Sequence, residues 1–339
     1  MALTAPLLAV LFLGTPPAPA PQAKEEGAPE AQPILIPVAP AALEIHSRGA
    51  EPHLRLRPPW QQGDALPIEF TVDALFTRSG ERLPRELARP LPVRWVMPAR
   101  VTAVDAAGKA TIVATVSSAE PLPHPSNSAA QVAATTAAIQ PLLGTSIELR
   151  VGADGGLEAL RVPAEVAPRR ETTGTKDTDG ARPIELLVEG LSMLFRPQPT
   201  EPIGRDARWT VRTTRRVDGI ERVEVLTSTV SSSEGSRLTL ALKATVEPTA
   251  LRSALPDARF PEGRLVVAAA LEGNGAGTTT WEAGRLLPVA LRQQLQVVSI
   301  LEALVPEPEA RAGGEKRAFI EEREVVTLRM GADERKKPQ

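Results

Sequence analysis

Alternation with a period of two constrains this chain more than any other feature. Leu66, Ile68, Phe70, Val72, Ala74 and Phe76 share one side of an extended segment, opposite Glu69, Thr71 and Asp73. Val93, Trp95, Met97, Ala99, Val101 and Ala103 repeat the pattern. Only a β-strand puts residues i, i+2 and i+4 on one face. A turn at Asp105-Ala-Ala-Gly108 leads into Ile112, Ala114 and Val116, and Ile147, Leu149 and Val151 form a further strand. Ala153-Asp154-Gly155-Gly156 is a hairpin signal, because glycine reaches the positive φ that such turns need.

The second half continues in the same way. Trp209, Val211 and Thr213 alternate with Thr210, Arg212 and Thr214, and Asp218-Gly219 turns the chain into a strand around Val223 and Val225. Leu238, Leu240, Leu242, Ala244 and Val246 oppose Arg237, Thr239, Lys243, Thr245 and Glu247. Residues 265–271, 278–287, 291–300 and 319–330 read as further strands. Connections this short predict antiparallel pairing, with one face buried and one face wet.

Two segments carry the helical period instead. In 128–140, Ala129, Val132, Thr136 and Ile139 lie three or four apart, and Pro141 and Gly144 end the run. In 183–195, Ile184, Leu187, Val188, Leu191, Leu194 and Phe195 form an apolar stripe opposite Glu185, Glu189 and Ser192. Pro183 suits the first helical position. The expected fold is mainly β (α+β): a large, twisted antiparallel sheet with two short helices packed on one face. Such a sheet must close or curl to manage its edges.

The N-terminus, MALTAPLLAVLFLGTPPAPAPQA, has a short apolar run from Leu7 to Leu13 followed by small residues and prolines. Residues 1–23 are therefore expected to be a secretory signal peptide, too short for a membrane-spanning helix. Proline, with 34 residues in the chain, is dense in 24–42, which reads as a Pro/Ala-rich linker. An N-terminal β-rich half with one helix is expected over 43–167. A polar loop over 168–182, a C-terminal helix plus sheet over 183–332 and a charged tail over 333–339 complete the plan.

The chemistry-bearing residues are few. The chain has no Cys and no Tyr, three His, four Trp and six Phe, and a net charge of −2. The balanced charge gives no electrostatic footprint for nucleic acid. His46 and His53 fall on the polar side of their segments and His124 lies in a loop, so no metal site is expected. Thr175-Lys-Asp177-Thr-Asp179-Gly180 resembles a calcium loop, but Thr175 and Leu186 occupy positions that require Asp and Glu. Gly273-Asn-Gly275-Ala-Gly277 lacks the third glycine of a dinucleotide loop at Thr278, and reads as a glycine-rich hairpin or bulge. Ser192 is on a helix and not on a strand-to-helix elbow. No catalytic residue, metal ligand or cofactor is assigned, and ligand-binding residues are left open.

The order of features from Val93 to Met330 resembles uncharacterised exported proteins and lipoproteins of bacteria. In those, a Pro-Val-Gly-x-x-Trp-like stretch follows a Leu-rich helix, as Pro202-Ile-Gly204 and Trp209 do here. The resemblance implies export and a β-rich fold, with no known activity. This chain departs from the lipoproteins in having no cysteine to lipidate. The expectation is a soluble, non-enzymatic envelope protein, periplasmic or secreted, that binds an apolar ligand in a curled sheet. The alternative in which the helices fill the groove makes a plain core. The competing classes are a structural partner in an envelope complex and a hydrolase acting on envelope polymers.

Overall fold

The computed structural model describes residues 33–80, 83–88, 91–124, 127–166, 183–217, 220–251, 255–256, 265–304 and 317–331. The signal peptide, the loop over 168–182, the calcium-like loop and the charged tail lie outside them. The first half carries β1 (Ile34–Pro37), β2 (Ala41–Ser47), β3 (Ala50–Leu54), β4 (Ala65–Gly80), β5 (Leu83–Ala88), β6 (Val93–Val104), β7 (Ala110–Thr115), β8 (Ser118–Pro121), α1 (Ala129–Ile139), β9 (Ser146–Val151) and β10 (Leu157–Val162). The second carries α2 (Pro183–Leu194), β11 (Ile203–Arg205), β12 (Arg208–Val217), β13 (Ile220–Glu234), β14 (Arg237–Leu251), β15 (Leu255–Pro256), β16 (Leu265–Glu282), β17 (Ala290–Leu304) and β18 (Arg317–Met330).

Among the described residues, sixteen strands form one antiparallel sheet. Its hydrogen-bonded order is β1-β10-β9-β7-β6-β4-β18-β17-β16-β14-β13-β12-β2, with β5, β8 and β15 at the side, and it does not close on itself. Strands β3 and β11 pair separately. Both halves of the chain contribute to the one large sheet. β1 falls inside the stretch read as a linker, so ordered structure begins before residue 43. Ile34 and Ile36 give that segment the alternation that its prolines obscure.

The end strands β1 and β2 are consecutive in sequence, joined by residues 38–40. Four Cα–Cα steps reach at most about 15 Å. Laid flat, thirteen strands would hold their two ends about 58 Å apart. The sheet therefore curls until its ends nearly meet, leaving a seam bridged by 38–40.

A row of glycines permits the sheet to bend here. Gly273, Gly275 and Gly277 lie within β16, whose neighbours are β14 and β17. A Cβ on Gly273 would lie 2.5 Å from the Gln296 carbonyl oxygen, and Cβ atoms on Gly275 and Gly277 would overlap the carbonyl oxygens of Gln294 and Arg292. The strand runs unbroken through these residues. This corrects the reading of a hairpin or bulge between two strands: glycines on one face let the adjoining backbone fold over them.

The inner face forms one continuous core from Phe70 and Trp95 to Trp209, Leu240, Leu295 and Leu328. Helix α2 lies against it. Gly190 brings the helix onto β4, where a Cβ would overlap the Phe70 ring and lie 2.7 Å from Val72. Leu186 and Met193 are buried along with Leu187, Leu191 and Leu194, so α2 is apolar over more of its circumference than one stripe. In α1 the buried residues are Thr135 and Ile139. Thr136 is exposed and bonds the Val132 carbonyl, against the expected stripe. α1 starts at a capping box between Ser128 and Gln131.

Candidate functional site

Beside α2, the inner face is not completely filled. A cavity of about 200 Å³ lies between the helix, the bridging residues of the seam and β12 to β14. Val38, Leu157, Val188, Phe195, Val211 and Leu226 form its apolar wall. Glu189, Ser192, Arg196, Thr213 and Glu224 place polar groups among them. Helix α2 packs on the inner face and leaves this space along one side.

Local sequence places these groups. Glu189 and Ser192, expected on the wet side of α2, line the cavity because the sheet wraps beyond the helix. Ser192 Oγ donates to the Val188 carbonyl at 2.8 Å, a bond within the helix, so the hydroxyl is committed to the backbone. Arg196 leaves the helix end and donates from Nη1 to Gln293 Oε1 at 2.7 Å. Gln293 is fully buried on β17, and its Nε2 has no partner.

On β13 the lumen-facing set is Arg222, Glu224, Leu226, Ser228 and Val230, all buried. The strand expected around Val223 and Val225 is present, and Val223 is buried as well. The buried charges are paired. Arg222 Nη2 lies 2.8 Å from Glu224 Oε1, and Arg222 Nη1 donates to Glu324 Oε2 on β18 at 3.2 Å. One guanidinium thus stands between two carboxylates, hydrogen-bonded to Glu324 and ion-paired with Glu224. This is the geometry of a structural ion cluster; the open carboxylate pair of a glycosidase needs a sugar bond in that space.

The histidines stay at the surface. His46 on β2 pairs Nε2 with Thr210 Oγ1 at 3.1 Å, His53 on β3 pairs Nε2 with the Gly49 carbonyl at 3.1 Å, and His124 follows β8 in an exposed loop. Among the described residues, no group of three or more His, Cys, Asp and Glu is arranged to hold a metal ion.

The Pro202-Ile-Gly204…Trp209 stretch has a packing role. Ile203 and Trp209 are fully buried, and a Cβ on Gly204 would overlap the Ala50 carbonyl oxygen on β3. At the far rim, Arg57 lies 4.1 Å over the Trp60 ring and donates to the Ala153 carbonyl at 2.7 Å, while Trp60 Nε1 donates to the Gly152 carbonyl at 3.1 Å. Burial lowers the Arg57 pKa to about 10, partly offset by Asp154.

No known family model matches the chain. No curated protein matches it either. Among solved structures, it is similar to the in-vitro folded OmpT, an outer membrane protein of Vibrio cholerae in its trimer form. The identity is 7%, the coverage 79% of this chain and 99% of that one, and the TM-score 0.15. A likeness at that score carries no argument about fold or function.

Proposed function

We propose that this chain is an exported, soluble, non-enzymatic envelope protein that binds an apolar ligand, such as an acyl chain, inside its curled sheet. The observation that carries the reading is the cavity beside α2, whose wall is mostly aliphatic and aromatic with a few polar groups, the usual make-up of a small-molecule site. The outer face supports a protein surrounded by water. Arg212, Lys243, Gln294, Gln296 and Arg329 are exposed or half-buried there, opposite the buried inner residues of the same strands. A membrane-spanning barrel carries an apolar band on that side. The N-terminal apolar run supports export.

The test has two parts. Native mass spectrometry of protein recovered from the periplasm should show bound ligand. Purified protein should bind cis-parinaric acid, and Ser192→Phe, which fills the cavity, should weaken that binding at least about tenfold with an unchanged urea midpoint. Equal binding by Ser192→Phe would overturn the reading, as would the absence of both copurified ligand and probe binding.

A further inference from the structure

The cavity is smaller than the roughly 300–1,000 Å³ of an ordinary ligand pocket, so a long chain is fully enclosed only if one wall yields. Its walls are held very differently. Helix α2 is wedged at Gly190 onto Phe70 and Val72. β12 is paired with β13 along its whole length, from Arg208↔Thr229 to Val217↔Ile220. The third wall is the end of β1 and the bridge across the seam, through Pro37, Val38, Ala39 and Ala41. β1 is four residues long and, among the described residues, ends the sheet order and pairs only with β10. Ile34 and Leu35 are 44% and 48% exposed. Beyond the ladder, the Val38 N–H donates to the Glu158 carbonyl at 3.1 Å. A short edge strand with exposed side chains opens at a lower free energy than a central one.

We propose that β1 and residues 38–40 form a movable wall, which parts from β10 to admit an acyl chain longer than the cavity holds. The proposal rests on the ligand reading above for its purpose, and on the sheet alone for its motion. Displacing this wall enlarges the cavity without disturbing α2 or the β12–β13 ladder. It also leaves the charged cluster around Arg222 in place.

The lack of native cysteine makes a direct test clean. Leu35 and Arg161 are Cα partners across β1 and β10. The double variant Leu35→Cys with Arg161→Cys, oxidised and confirmed by intact mass, should take up cis-parinaric acid at least about tenfold more slowly than the same protein after reduction. Ile34→Cys with Val162→Cys, also Cα partners, replaces it if the first bond does not form. Equal association rates in the oxidised and reduced forms overturn the wall. Hydrogen exchange of the unaltered protein reads the motion without any ligand. A peptide covering β1 should exchange about 100-fold faster than one covering β9. Equal protection of the two overturns the proposal. If the probe does not bind even the reduced protein, the ligand reading falls, and hydrogen exchange alone decides the wall.

Discussion

Arg222 on β13 donates to Glu324 on β18 at 3.2 Å, although β14, β16 and β17 lie between their strands in the sheet. Four strand spacings amount to about 19 Å along a flat sheet. The ion pair therefore spans the lumen, and is a direct measure of how tightly this part of the sheet is curled.

Removing the guanidinium strands charge in the interior. Arg222 and Glu224 are both buried, so Arg222→Met should cost about 3–5 kcal/mol, read as a lower urea midpoint. The triple variant Arg222→Met, Glu224→Leu, Glu324→Leu should recover most of that loss, because the penalty belongs to the abandoned carboxylates. A triple variant no more stable than the single one would show that the cluster contributes net stability of its own.

The glycine row should be intolerant of any side chain. Gly275→Ala puts a methyl group on the Gln294 carbonyl oxygen and should cost about 1–3 kcal/mol in urea unfolding. Gly235, in the turn between β13 and β14, has a φ of +59° and nothing within 4 Å of its added Cβ. Gly235→Asn should cost under about 1 kcal/mol, since asparagine accepts the left-handed region. Similar losses at the two positions would refute the bend.

Helix docking depends on Gly190. Alanine gains about 1 kcal/mol of helix propensity over glycine, but its methyl group collides with the Phe70 ring. Gly190→Ala should lower the melting temperature, and pairing it with Phe70→Leu should restore part of the loss. A rise in melting temperature for the single variant would mean that α2 does not rest on β4 so closely.

At the rim, Arg57→Met removes a cation–π contact and a charged hydrogen bond to the Ala153 carbonyl. After the recovered desolvation is set against these, the expected loss is about 1–2 kcal/mol in chemical denaturation. The folded pKa of about 10 lies below the ordinary value of an arginine side chain. The fold therefore binds this proton less tightly than the unfolded chain does, and stability linked to Arg57 rises only as pH passes above about 10. The loss should be constant from about pH 6 to 9, and a loss that varied across that window would contradict the assignment.

Much of the fold is legible in the residues. The alternation around Phe70, Trp95, Leu149 and Leu240 predicts strands, and these residues are buried in the core. Pro183 and the apolar run after it predict α2, which spans Pro183–Leu194. Gly273 to Gly277 is misread, because glycine at alternate positions looks like a turn until a neighbouring carbonyl is seen over each one. The buried charge on β13 is not legible, because arginine and glutamate at alternate positions look like a wet face. Their counter-charge, Glu324, is 102 residues from Arg222 in sequence, and no local pattern announces it. The cavity is not legible at all, since Val38, Val188 and Leu226 come from a bridge, a helix and a strand that meet only after the sheet has curled.

The sequence by itself determined which segments extend, which coil and which side of most strands is apolar, because those depend on neighbours two to four residues away. Only the tertiary structure decided that the sheet curls until β1 and β2 nearly meet, that α2 lies within it, and that a space remains beside Ser192. Those outcomes depend on curvature. Curvature is set by the sum of small twists over thirteen strands, by backbone packed onto glycine, and by charges that meet across the lumen.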